Sequence, residues 1–181
     1  MAGFKFRKSL RGDGVVPAEL ELVGANSIVF QIGDLIRINT GGFAALAVAG
    51  DLIYGVVTGV IDKNSGRTDP DADTLDIYTM TSDNQTVALR RIRCIPVLAD
   101  YLFYNDADAD FARTNLMQYF PINDENDVDG TTGNDSTINT VRLIVIDPDG
   151  DADASKGLFQ IVESFWAQNC MGVVDTGGIE A

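Results

Sequence analysis

Apolar and polar positions alternate along this chain in short runs, and clusters of glycine, aspartate and asparagine separate the runs. That pattern predicts strands joined by turns. Ile32-Gly33-Asp34-Leu35-Ile36 is echoed seventeen residues later by Ala49-Gly50-Asp51-Leu52-Ile53, each a Gly-Asp turn opening a β-branched run. With Asn39-Thr40-Gly41-Gly42 as a further turn signal, residues 29–61 parse as a meander of antiparallel strands at about 28–32, 35–39, 43–48 and 52–61. Residues 75–80 alternate as another strand, and 86–98 follow. There Arg91 and Arg93 share one side, and Ile92 and Cys94 take the other. Residues 101–104 continue that sheet, and two apolar strands, 141–146 and 158–166, close the chain. No apolar series at i, i+3, i+4, i+7 persists long enough to demand a core helix. Residues 105–137 are acidic and turn-rich, broken by Phe111 and by the run 116–122, and are too long for a simple hairpin connection. They read as an excursion over the surface or a strand pair under a loop.

Composition agrees with this picture. In 181 residues, 45% are apolar and 22% charged, which is a chain that packs, and 18 glycines and 5 prolines supply turns. The predicted fold class is all-β, a small β-barrel or β-sandwich of short antiparallel strands with an extended N-terminal arm. Residues 1–20 form the arm and 21–181 the β domain, which carries the acidic excursion at 105–137.

Charge then divides the chain. Thirteen basic and 27 acidic residues give a net charge of −14, which opposes a nucleic-acid partner because phosphates would be repelled by the mean field. Lys5, Arg7, Lys8 and Arg11 place four of the positive charges in the first eleven residues, so the remainder carries −18. In Phe4-Lys5-Phe6-Arg7-Lys8 rings alternate with cations, and an extended strand would separate them onto two faces. Such a segment suits docking onto an acidic surface of a neighbouring chain, and the alternative reading is a frayed, solvated terminus. It is expected to be dispensable for folding of the domain.

Candidate chemistry is sparse. The chain has no histidine, which removes the imidazole base, the commonest zinc ligand and every Ser-His or Cys-His pair. Gly-x-Ser-x-Gly, phosphate-loop and Gly-x-Gly-x-x-Gly motifs are also missing. The expectation is a protein without enzymatic activity, cofactor or metal. Cys94 and Cys170 lie far apart and read as buried thiols rather than a bridge. Three aspartate clusters, Asp69-Asp71-Asp73, Asp106-Asp108-Asp110 and Asp147-Asp149-Asp151-Asp153, invite a hard cation. Neither of the two loops that come nearest to the calcium pattern completes it, because Ser136 or Lys156 stands where the bidentate acid belongs, so solvated faces and β-turns are the reading preferred. No signal peptide is visible. Residues 41–61 contain only one charge, but Asp51 at their centre would cost about 3 kcal/mol in a bilayer, and five glycines read as turns, so no membrane span is expected.

The order of features resembles tailed-phage capsid decoration (cement) proteins. It is carried by the basic arm, Gly33-Asp34-Leu35-Ile36, Gly41-Gly42-Phe43, residues 49–57, Thr140-Val141-Arg142-Leu143 and Phe159-Gln160-Ile161-Val162. The resemblance implies a small β module on the outer capsid surface of the virion, a homo-oligomer with a trimer favoured, that clamps neighbouring copies of the major capsid protein. Phe4, Lys5, Phe6, Arg7, Lys8 and Arg11 would then bind the capsid. The rival reading is a calcium-dependent β adhesion or carbohydrate-binding module.

Overall fold

The computed structural model describes residues 3–12, 16–62, 77–79, 90–133 and 140–166. Fourteen strands occur among them: β1 (Lys5–Ser9), β2 (Leu20–Leu22), β3 (Val29–Gln31), β4 (Leu35–Ile38), β5 (Ala44–Leu46), β6 (Gly55–Asp62), β7 (Ile77–Thr79), β8 (Arg90–Pro96), β9 (Tyr101–Asp106), β10 (Tyr119–Phe120), β11 (Ile122–Asp124), β12 (Asp127–Val128), β13 (Val141–Ile146) and β14 (Lys156–Ile161). A single 3₁₀ turn, Arg113–Asn115, precedes β10. Among the described residues no helix is long and apolar enough to cross a membrane.

The fold is all-β. One five-stranded sheet runs β1-β9-β14-β13-β10 and a second runs β2-β8-β6-β4-β5, each antiparallel throughout, with the small pairs β3-β7 and β11-β12 beside them. Neither sheet closes on itself, and the arrangement is that of a β-sandwich.

Why β4, β6 and β8 of the second sheet each carry adjacent apolar residues is visible in their burial. Leu35, Val56 and Ile95 enter the larger core with Phe4, Phe103, Phe120, Val141, Leu143 and Phe159 of the first sheet. Their chain neighbours Ile36, Val57 and Cys94 point the other way, into a smaller cluster around Phe30 and Ile92. Because successive side chains of a strand alternate sides, adjacent apolar residues in β4, β6 and β8 serve both clusters, while Arg37, Arg91 and Arg93 of these strands are paired with acids.

Three details of connection differ from the sequence expectation. Residues 29–61 are not a meander: β4 pairs with β5 on one side and β6 on the other, and β3 leaves to pair with β7. The connection 47–54 therefore carries the chain back across β4, with Ala47 N–H donating to Leu35 O and Tyr54 N–H to Ile36 O. Second, β9 does not extend the sheet of β8. After a tight turn closed by Tyr101 N–H to Leu98 O, it enters the other sheet between β1 and β14. Third, β14 stops at Ile161, and the chain turns so that Phe165 N–H reaches Ile53 O. The acidic excursion contains the β11-β12 hairpin and is also a wall of the core, contributing buried Phe111, Phe120, Ile122 and Val128. Phe111 meets the rings of Phe120 at 5.1 Å and Phe159 at 5.8 Å, edge to face.

The start of the first sheet meets the second at a backbone crossing. Phe4 N–H donates to Gly33 O at 2.9 Å, and Gly33 N–H donates to Val57 O at 2.9 Å. A Cβ at Gly33 would lie 2.7 Å from Gly3 Cα, and Gly33 has φ +97°, a left-handed conformation that glycine tolerates. Gly33→Ala should lower unfolding free energy by about 3 kcal/mol, combining clash and strain. Gly42→Ala, at φ +79° but with nothing near its would-be Cβ, should cost only about 1 kcal/mol. Parallel urea titrations of the two variants check the difference; equal losses would mean the crossing is not tightly packed.

Candidate docking face

Among the described residues β1 is the outermost strand of its sheet, with β9 on one side and no described strand on the other. Its alternation separates rings from cations as the sequence predicts, and the partner of the rings is this chain's own core. Phe4 is 1% exposed and meets Phe159 at 6.5 Å. Phe6 is half-buried, edge-on to Tyr101 at 5.0 Å and to Phe103 at 6.0 Å. Lys5, Arg7 and Lys8 are exposed. A bulge between Phe6 and Lys8 shifts the register, placing Arg7 and Lys8 side by side at the surface.

Beyond β1 the segment remains tied down. Ser9 Oγ donates to Asp100 Oδ2 at 2.6 Å, and Arg11 Nε reaches the same oxygen at 3.1 Å. Leu10 N–H donates to Asp100 O at 2.7 Å. Thus residues 4–11 are laid along their own domain. The expectation that the arm is dispensable for folding is corrected for this reason: Phe4 is interior, so it offers no ring to a partner, and removing it would open the core.

Of the cations, Arg7 pairs with Asp149 at 3.0 Å and Arg11 with Asp100. Lys5 and Lys8 make no ion pair among the described residues. Beside them is a groove of about 410 Å³ lined by Lys5, Phe6, Arg7, Tyr104 and Asp149. Tyr104 Oη donates to Asp106 Oδ1 at 3.2 Å. Burial, then the charge of Asp106, pushes the Tyr104 hydroxyl up to about 12, so it remains a neutral donor at ordinary pH. Tyr104 and Asp149 were not foreseeable from the sequence, because nothing local links residues 7 and 149 until β1 and the β13-β14 turn become neighbours.

The other sequence candidates fall elsewhere. The Arg91/Arg93 stripe is covered from β2, with Glu21 3.8 Å from Arg91 and Glu19 3.2 Å from Arg93. Cys94 is a buried free thiol, pushed up to about 12 chiefly by burial and then by Glu19, which leaves it unreactive. Cys170 and Asp69-Asp71-Asp73 lie outside the described residues. In the β13-β14 turn, Asp147 accepts from Asp151 N–H and Ala152 N–H. Asp151 and Asp153 both hold the Lys156 ammonium. The contact to Lys156 holds the Asp151 carboxyl below its ordinary value; for Asp153 the Ser155 hydroxyl is the larger cause and Lys156 the next. Asp108 accepts from Gly130 N–H and Asn123 Nδ2. Among the described residues no group of three or more Cys, Asp or Glu side chains converges as a metal site.

In comparisons with known proteins, no family model, no curated protein and no solved structure matches the chain.

Phe4→Ala should cost about 3–4 kcal/mol of stability through the cavity it leaves, whereas Lys5→Ala and Lys8→Ala should each stay within about 0.5 kcal/mol. Chemical denaturation of the three variants checks this. Parity between them would mean that β1 is not part of the folding unit.

Proposed function

We propose that this chain is a structural virion protein of the capsid decoration class, which binds the outer surface of a phage capsid and cements neighbouring major capsid subunits. The observation that carries the reading is β1: among the described residues it is an outermost strand presenting Lys5 and Lys8, which pair with no described acid, together with Arg7, beside a groove, on a molecule whose net charge is −14. Uncompensated cations on an otherwise acidic body steer it toward an acidic partner in one orientation. Edge lysines and a bulge discourage strand addition, so the contact is made by side chains on a capsid surface. A cement protein needs area and rigidity rather than a reactive centre, and a sandwich whose second sheet sends side chains into two apolar clusters provides rigidity. The proposed assembly is a homotrimer at a local symmetry axis, so that three such faces act together.

Mixing the purified protein with undecorated capsids and sedimenting them tests the reading. The double variant Lys5→Glu/Lys8→Glu should reduce occupancy about tenfold or more with an unchanged denaturation midpoint. Raising salt from about 0.1 M to about 0.5 M should release the wild-type protein as screening shortens. Full, salt-independent occupancy by the double variant would overturn the role of this face, and no co-sedimentation of the wild-type protein would overturn the decoration reading.

A further inference from the structure

The groove beside β1 already holds a carboxylate of this chain's own. Arg7 Nη2 donates to Asp149 Oδ1 at 3.0 Å, and the two side chains are 58% and 42% exposed. Asp149 is carried there by the β13-β14 turn, whose shape is fixed without it: Asp147 accepts from Asp151 N–H and Ala152 N–H through its side chain and from Gly150 N–H through its carbonyl. Asp149 engages Nη2, so the guanidinium keeps donors for a second acceptor. Lys5 stands opposite Tyr104 across the β1-β9 ladder and pairs with no described acid. The Tyr104 hydroxyl is turned to Asp106, and Phe6 supplies apolar lining.

We propose that this groove is a carboxylate clamp: an aspartate or glutamate side chain of the major capsid protein enters between Lys5 and Arg7, and Asp149 is the internal stand-in that it displaces. The identity of the partner rests on the decoration reading; the chemistry rests on the groove. Charge decides the class of occupant. Two cations and one acid give the lining one net positive charge, on a molecule of −14, so an anionic side chain is drawn to this spot. Magnitude decides that displacement is possible. An exposed ion pair is weak because water screens it, so exchanging Asp149 for an incoming carboxylate costs little, and Lys5 is gained as a second contact. The groove of about 410 Å³ has room for such a side chain. Asp149 therefore competes with the partner whose place it holds.

Sedimentation with undecorated capsids over a range of protein concentrations reads the competition. Asp149→Asn should tighten binding about threefold to fivefold. That gain should be absent when Arg7→Gln/Asp149→Asn is compared with Arg7→Gln alone. Asp110→Asn removes the same charge from an exposed position outside the groove and should change affinity by less than about twofold. Equal affinity of Asp149→Asn and wild type, a gain that survives beside Arg7→Gln, or a gain matched by Asp110→Asn would overturn the clamp and leave the decoration reading standing. If the wild-type protein does not sediment with capsids, the decoration reading falls and the clamp is decided without them. A capped tetraglutamate peptide is then titrated into isotope-labelled wild-type protein and Asp149→Asn and followed by NMR. Amide shifts centred on Lys5, Phe6, Arg7 and Tyr104, with a midpoint about threefold lower in Asp149→Asn, uphold the clamp. Shifts centred elsewhere, no shifts, or the same midpoint in both proteins overturn it.

Discussion

Where the N-terminal strand crosses the turn into β4, two glycines touch backbone to backbone, and the rest of the architecture is arranged around that contact. Gly33 hydrogen-bonds on one side to Phe4 of the first sheet and on the other to Val57 of the second. No side chain fits between them. Placing backbone this deep leaves polar groups that must be satisfied inside the protein. Asp34, Asn105 and Asn126 perform that task from three different elements. The joint therefore fixes the position of β1 relative to β4 and of the hairpin relative to both. Its cost is the burial of Asp34, with which no cation pairs among the described residues.

The same crossing explains why the basic segment is strand and surface at once. With Gly3 and Phe4 anchored inside, the next residues must run outward along β9. Fully burying a phenylalanine contributes about 2–3 kcal/mol, whereas an exposed pair such as Arg7 with Asp149 contributes less than about 1 kcal/mol. The rings thus decide where β1 lies, and the cations are carried to the surface by that choice. Folding does not use the charge of Lys5 or Lys8, which make no ion pair among the described residues. The acidic loops behave in the opposite manner, with Asp147, Asp151 and Asp153 turned onto their own amides, Ser155 and Lys156.

Much of the fold was legible in the order of residues. Gly-Asp and Asn-Thr-Gly-Gly turns, short β-branched runs and alternation in residues 4–8 are local signals, and β4, β5, β6 and β13 fall within a few residues of where those signals put them. The two sides of Arg91-Ile92-Arg93-Cys94 were legible for the same reason, since side-chain period is a property of a single strand. Sheet membership was not. Nothing within residues 96–101 says that the chain leaves one sheet for the other, and nothing in Phe111, Phe120, Ile122 and Val128 distinguishes a surface excursion from a core wall.

The sequence by itself determined an all-β chain, the strands and turns, the separation of rings from cations in β1, and an acidic body with a basic beginning, because each depends on neighbours a few positions apart. Tertiary structure alone decided that β1 lies on its own domain, that Tyr104 and Asp149 flank its cations, and that Asp34 meets Asn126 across ninety-two positions. Those outcomes depend on which distant segments can share one buried volume, and only packing of the whole chain selects among them.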